Sequence, residues 1–319
     1  MMKIRAYIPL FIFIFISALI PVLTGMFQAN FFLTQLTMSA YYALAALGLC
    51  LLLGYAGQIS LGQAGFFAIG GYMSAMLSKA GLDPRLAFIA AVLAAALTAF
   101  LIGMPVLRLK GHYLAMATLG FGVVIEKVVR GLPVLGGADG LPNVPAFTII
   151  GALRITGGKS ERLANYLIAF VILAVCLTLM INLLSSRSGR ALRALHGNEE
   201  AAAAMGVNTA RAKLVAFVIA AVCAAVAGSL LTHFNGSIGP GEAGTMKSIR
   251  YLSIVAVGGL SNFTGTLAVG ILLNFLSLRG VFGIYDDAVF GAILVVVMLL
   301  APNGFSLSLP KRRKKEGVK

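Results

Sequence analysis

The chain has 319 residues, of which 60% are hydrophobic and 11% charged, and its mean hydropathy is +0.97. A water-soluble domain carries about a quarter charged residues, so this composition leaves too little charge to cover a water-facing surface and excludes an ordinary soluble fold. The formal charge of +15 would suit nucleic acid, but the basic residues sit between apolar runs rather than on one polar face; this excludes nucleic acid and points to a lipid bilayer, where Lys and Arg gather in cytoplasmic loops.

In chain order, Lys3 and Arg5 precede an apolar stretch from Tyr7 to Met26, longer than the core of a cleaved signal and without a convincing cleavage site, so it reads as a first membrane span. Further apolar runs cover 31–53, 63–80, 86–106, 112–127, 163–184, 212–233, 249–259, 263–279 and 288–301. A helix needs about 20 residues to cross the hydrocarbon. Runs 112–127 and 288–301 are short on that measure, and 249–259 is too short to cross alone. Cys50, Cys176 and Cys223 all lie inside apolar runs, without metal-ligand spacing, and read as small packing residues.

Parity orients the runs. The N-terminal Lys3 and Arg5, the segment bearing Arg187, Arg190, Arg193 and Arg211, and the tail Lys311 to Lys315 should all face the cytoplasm, and ten alternating crossings satisfy all three. The expected fold is therefore an all-α polytopic bundle of about eight to ten spans. It forms a single transmembrane domain over 1–319, with a cytoplasmic loop over 186–211 and a basic cytoplasmic tail over 307–319. Segment 251–278 is uncharged and about 42 Å long as a helix, more than one crossing and less than two. A reversal is expected near Gly258 to Asn262, as a broken or re-entrant element buried in protein or lining a cavity. The Pro- and Gly-rich stretch 130–162 reads as an extracytoplasmic loop.

Three constellations stand out. Gly54 to Gly65 interrupts the apolar pattern with Gly57, Gln58, Ser60, Gly62, Gln63 and Gly65, small residues that let another helix approach and amides that can bond across the contact. Plain helix packing and the lining of a translocation path are both open for it. Gly258, Gly259, Asn262 and Gly265 form a second glycine-rich break in the other half; paired breaks suit a repeat around a central path. The polar insert 185–213 carries helix formers over Ala191–Leu195 and again over Glu199–Met205, with Asn198 as a cap, Glu199 and Glu200 in the first turn and Gly206 as the stop. Its alanine run would fit a groove in a partner, and a solvated loop is the alternative.

Lys127 and Arg130 beside Glu126, or Asp139, could touch an external binding protein; loop capping and headgroup contact are the alternatives. His112, His196 and His233 are too scattered to argue a metal or a general base, and no catalytic or metal site is expected. No Walker A pattern occurs, so the chain has no ATP site of that type. The central parts of the apolar runs hold no Asp, Glu, Lys or Arg, which disfavours an ion-coupled carrier.

Glu200-Ala201-Ala202 followed by Gly206 resembles the EAA motif of ABC importer permeases, although Ala216 to Ile219 stand where its later I-x-L-P part would fall. Gly54 to Tyr72, Leu107 to Gly122, Gly136 to Val144, Ser253 to Gly270 and Pro302-Asn303-Gly304, in that order, resemble permease subunits of the LivM type over almost the whole chain. The resemblance implies an ABC importer permease fold in the bacterial cytoplasmic (inner) membrane, carrying branched-chain amino acids. It also implies Glu199, Glu200, Ala201, Ala202, Met205 and Gly206 as the element coupled to two ATPase subunits, which would hold the ATP and Mg, while this chain binds no cofactor. A companion permease of similar fold and a periplasmic binding protein complete the implied machine. Similar permeases carry urea or short amides, so the cargo stays open at this stage.

Overall fold

The computed structural model describes residues 13, 14, 17, 19–21, 31–150, 153–158 and 161–300. Most of the span expected over 8–26, together with Lys3, Arg5, Pro302-Asn303-Gly304 and the basic tail over 307–319, lies outside them. Within that first stretch, the Ser17 carbonyl accepts a 2.9 Å bond from Tyr166 and Phe13 stacks on Phe170.

The helices are α1 (Phe31–Ala56), α2 (Gln63–Lys79), α3 (Pro84–Val106), α4 (His112–Gly131), α5 (Arg162–Ser185), α6 (Arg187–Gly197), α7 (Glu199–Ala204), α8 (Thr209–Asn235), α9 (Thr245–Gly258), α10 (Phe263–Leu278) and α11 (Asp286–Leu300). Five of them, α1, α3, α4, α5 and α8, are long and apolar enough to cross a membrane. This is an all-α membrane bundle. The expected span at 112–127 is longer than its apolar run, because the Glu126–Arg130 pair, 3.0 Å apart at i,i+4, carries the helix to Gly131. Sequence patterning did not foresee a small hairpin, β1 (Phe147–Ile150) with β2 (Leu153–Ile155), inside the 130–162 loop.

Two helices form the centre. Helices α1 and α8 are 26 and 27 residues long, and both are buried on nearly every side, which suits their lack of a polar face. Helix α3 shows the opposite pattern. Asp83 caps its first turn, and Ala87, Ala91, Ala95, Ala99 and Gly103, four apart, form its buried row. Leu86, Ile89, Leu93, Leu97 and Leu101 point outward. Small residues inward and large ones outward let the backbones approach without an aqueous hydrophobic drive.

Helix α2 starts part-way through the bundle. Gln63 donates 3.0 Å bonds to the carbonyls of Ala45 and Ala220, about 16 Å in from the ends of α1 and α8 nearest the polar insert. The link 57–62 therefore climbs through protein in non-helical form. Its backbone is satisfied there, with Gln58 N on the Leu52 carbonyl at 3.0 Å and Leu61 N on Thr118 Oγ1 at 3.0 Å. Non-helical backbone is tolerated at membrane depth when it is buried in this way. From Gln63, α2 runs against α8, where a Cβ on Gly70 would sit 2.2 Å from the Ala225 carbonyl oxygen.

Candidate functional site

The two glycine breaks, distant in sequence, meet in space. Ser261 Oγ donates to the Gly54 carbonyl at 2.7 Å across 207 residues of chain, and Tyr55 OH donates to the Ser261 carbonyl at 2.5 Å. The Tyr55 ring lies 4.8 Å from that of Phe263. A Cβ at Gly54 would fall on the Leu260 carbonyl oxygen, so the contact is backbone against backbone. The expected reversal is a tight turn at Gly259 (φ +97°), after which α10 folds back on α9. Gly258 and Gly265 face each other across that turn, with no room for a Cβ on either. Asn262 starts α10: its Oδ1 accepts from Gly265 N at 3.1 Å and from Thr264 Oγ1 at 2.9 Å.

In the first break, Gly57 adopts φ +66°, a left-handed turn that glycine takes without strain. Gln58, Ser60 and Gln63 are buried. Gly62 packs on the Thr118 carbonyl and Phe121, and Gly65 on Phe121 and Gly122. Both breaks are thus packed against neighbours at Gly54, Gly62, Gly65, Gly258 and Gly265, while Gly57, Ile59 and Ser261 stay exposed.

The polar insert sits beside them. Ser186 caps α6, accepting from Gly189 N at 3.4 Å, and Leu192 and Leu195 root α6 in the core. Asn198 Oδ1 accepts from Ala201 N at 3.0 Å and starts α7, and Gly206 at φ +80° follows its end. The Glu199 carboxylate meets Lys213 Nζ at 2.6 Å and tethers α7 to α8, with the lysine 8% exposed and the acid reaching solvent. Glu200 lies 3.8 Å from Lys110, both in solvent, where such a pair is worth little. Ala202 is buried, whereas Ala201, Ala203 and Ala204 are exposed and Met205 is 85% exposed. The insert therefore presents a short apolar knob that none of the described residues covers.

Sequence patterning missed a charged cluster on the other side of α9. Glu242 Oε1 accepts from Tyr42 OH and from Lys247 Nζ, each at 3.0 Å. Arg250 pairs with Asp286 and lies 3.0 Å from Asp287, while Ser277 Oγ donates to Asp286 at 2.8 Å. Five charged residues thus fasten α9 to α1, α10 and α11. The spacing of Lys247 and Arg250 hints at one charged face, but no local signal names Tyr42, Asp286 and Asp287, which are remote in sequence. At the end of the bundle away from the insert, His233 bridges Ser74 Oγ and the Pro145 carbonyl, both at 2.7 Å, and anchors the Pro-rich loop. The other two histidines, His112 and His196, are exposed.

Comparison with known proteins places this arrangement. Residues 31–298 match the family described as branched-chain amino acid transport system, permease component. The chain is 32% identical to the high-affinity branched-chain amino acid transport system permease protein LivM of Salmonella typhimurium, over 88% of this chain and 71% of the relative. LivM of Escherichia coli K12 is likewise 32% identical, over 88% of this chain and 72% of the relative. The permease protein LivH of Escherichia coli K12 is 28% identical, over 87% and 96%. No solved structure gives a significant match.

Proposed function

The chain belongs to the branched-chain amino acid transport permease family, and from that premise we propose that it is a membrane-spanning subunit of an ATP-binding-cassette importer for leucine, isoleucine and valine. In this reading it works in the bacterial cytoplasmic membrane and performs no chemistry. Two ATPase subunits hold and hydrolyse ATP with Mg, a companion permease of similar fold completes the pathway, and a periplasmic protein delivers the cargo. The observation that carries the reading is the knob of Ala201, Ala203, Ala204 and Met205: exposed, apolar, and held at a fixed place by the buried Ala202, the Asn198 cap and the Glu199–Lys213 pair. Contiguous exposed apolar residues on a polar surface mark a partner contact. The two breaks are the elements we assign to the translocation path, since they are the points where spans are interrupted and the helices adjoining them can shift.

The test is uptake of radiolabelled leucine into vesicles holding the chain with its ATPase subunits, companion permease and binding protein. Glu200→Lys, which sets two like charges beside each other at Lys110, and Gly206→Val, which forces a β-branched residue into φ +80°, are expected to abolish uptake with membrane insertion intact. Normal uptake in both variants would remove the insert from the mechanism. Competition by urea or acetamide in place of the branched-chain amino acids would reassign the cargo.

A further inference from the structure

We infer that His196 is a positioning residue that ties the polar insert to the first break, so that a displacement of the insert moves both breaks together. This rests on the proposed role of the insert as the docking element for the ATPase.

The contact is close. A Cβ built on Gly57 would lie 3.1 Å from His196 Nδ1 and 3.6 Å from His196 Cα. His196 therefore sits directly against the left-handed turn through which α1 passes into the link 57–62. It is also the penultimate residue of α6, two positions before the Asn198 cap of α7. Besides the solvent-exposed Glu200–Lys110 pair, force applied to the exposed knob can leave by two packed contacts. One is the Glu199–Lys213 pair into α8. The other is the α6 end, through His196, into Gly57.

From Gly57 the route continues without a gap. Gly54 and Tyr55, in the last turn of α1, hold the second break through Ser261 Oγ on the Gly54 carbonyl and Tyr55 OH on the Ser261 carbonyl. On the other side, Leu61 N and Gly62 lie against Thr118 of α4. The chain segment 54–62 thus touches the insert, the 259–262 turn and α4. Gly54 and Gly62 pack directly on the backbones of Leu260 and Thr118, so a shift of the segment at Gly57 is passed on at those two contacts rather than absorbed.

The experiment uses the complete transporter in liposomes and reads leucine uptake and ATP hydrolysis on the same sample. His196→Ala is expected to leave hydrolysis near wild type and to cut leucine carried per ATP about tenfold. His196→Asn, which keeps an atom at the Nδ1 position against Gly57, should recover most of that ratio. Tyr55→Phe removes one hydroxyl, leaves the ring against Phe263, and should lower the same ratio; it also serves if His196→Ala yields too little complex. An unchanged ratio in His196→Ala and Tyr55→Phe would overturn the inference. So would equal losses of uptake and hydrolysis in both, because the contact would then serve assembly rather than coupling. A wild-type complex that hydrolyses ATP but carries no leucine would instead count against the proposed function.

Discussion

Glu199 and Lys213 stand in unequal surroundings although they form one ion pair. Lys213 is 8% exposed and Glu199 is 33% exposed. A charge left unpaired in the interior costs several kcal/mol, whereas one that can reach water costs little. Removing the acid is therefore worse than removing the base. Glu199→Gln should destabilise the purified protein by about 3 kcal/mol, and Lys213→Met, whose side chain packs as the lysine stem does, by much less. Thermal unfolding in detergent, followed by the loss of monodisperse protein, checks the order. Equal shifts, or a larger loss in Lys213→Met, would show that water reaches the lysine. Gln63 is a second residue of this kind. Its amide joins the α1 and α8 backbones through the Ala45 and Ala220 carbonyls, and Gln63→Leu should cost about 1–2 kcal/mol in the same assay.

At the level of elements, the α2–α8 contact is set by glycine. A Cβ on Gly228 would lie 2.0 Å from the Phe67 carbonyl oxygen, and one on Gly70 would lie 2.2 Å from that of Ala225. Neither neighbour can yield without moving a helix. Gly228→Ala should destabilise by about 1–3 kcal/mol, visible as reduced yield of folded protein and a lower unfolding temperature. Gly120, with open space around it, should accept alanine without loss. Elements of this bundle were legible in the sequence wherever the signal is local. Apolar runs mark the spans because hydrocarbon admits only self-bonded backbone, and Asn198 and Gly206 mark the ends of α7 because capping is decided within four residues. The start of α9 was not legible. Thr245 to Arg250 reads as too charged to extend the apolar run, and becomes the first turns of α9 because Lys247 and Arg250 meet Glu242, Asp286 and Asp287. The meeting of the two breaks was equally hidden. Each was visible as a glycine cluster, but their contact is long-range and depends on how α1, α9 and α10 pack.

For the whole molecule, the structure sets a spatial relation that orientation must respect. The knob at Met205, the turn at 107–111 and the break at Gly57 lie at one end of the long spans, whereas Asp139 and the strands β1 and β2 lie at the other, since α3 runs from Arg85 beside Thr148 to Gly103 beside Leu214. If Arg187, Arg190, Arg193 and Arg211 face the cytoplasm, Asp139 must face outward. Substituted cysteines test this directly. Met205→Cys, at a position 85% exposed, should react with a membrane-impermeant maleimide in inside-out vesicles and resist it in intact cells, and Asp139→Cys should do the reverse. Background labelling will be low, because Cys50 and Cys223 are buried and Cys176 is only partly accessible. Labelling of both positions from the same side would mean that the spans between them do not cross the bilayer as an odd number, and the ATPase could then not reach the insert. Labelling of Met205→Cys should also fall when ATPase subunits are present, because the same apolar surface would then be covered; protection by the binding protein instead would invert the assignment of the two faces.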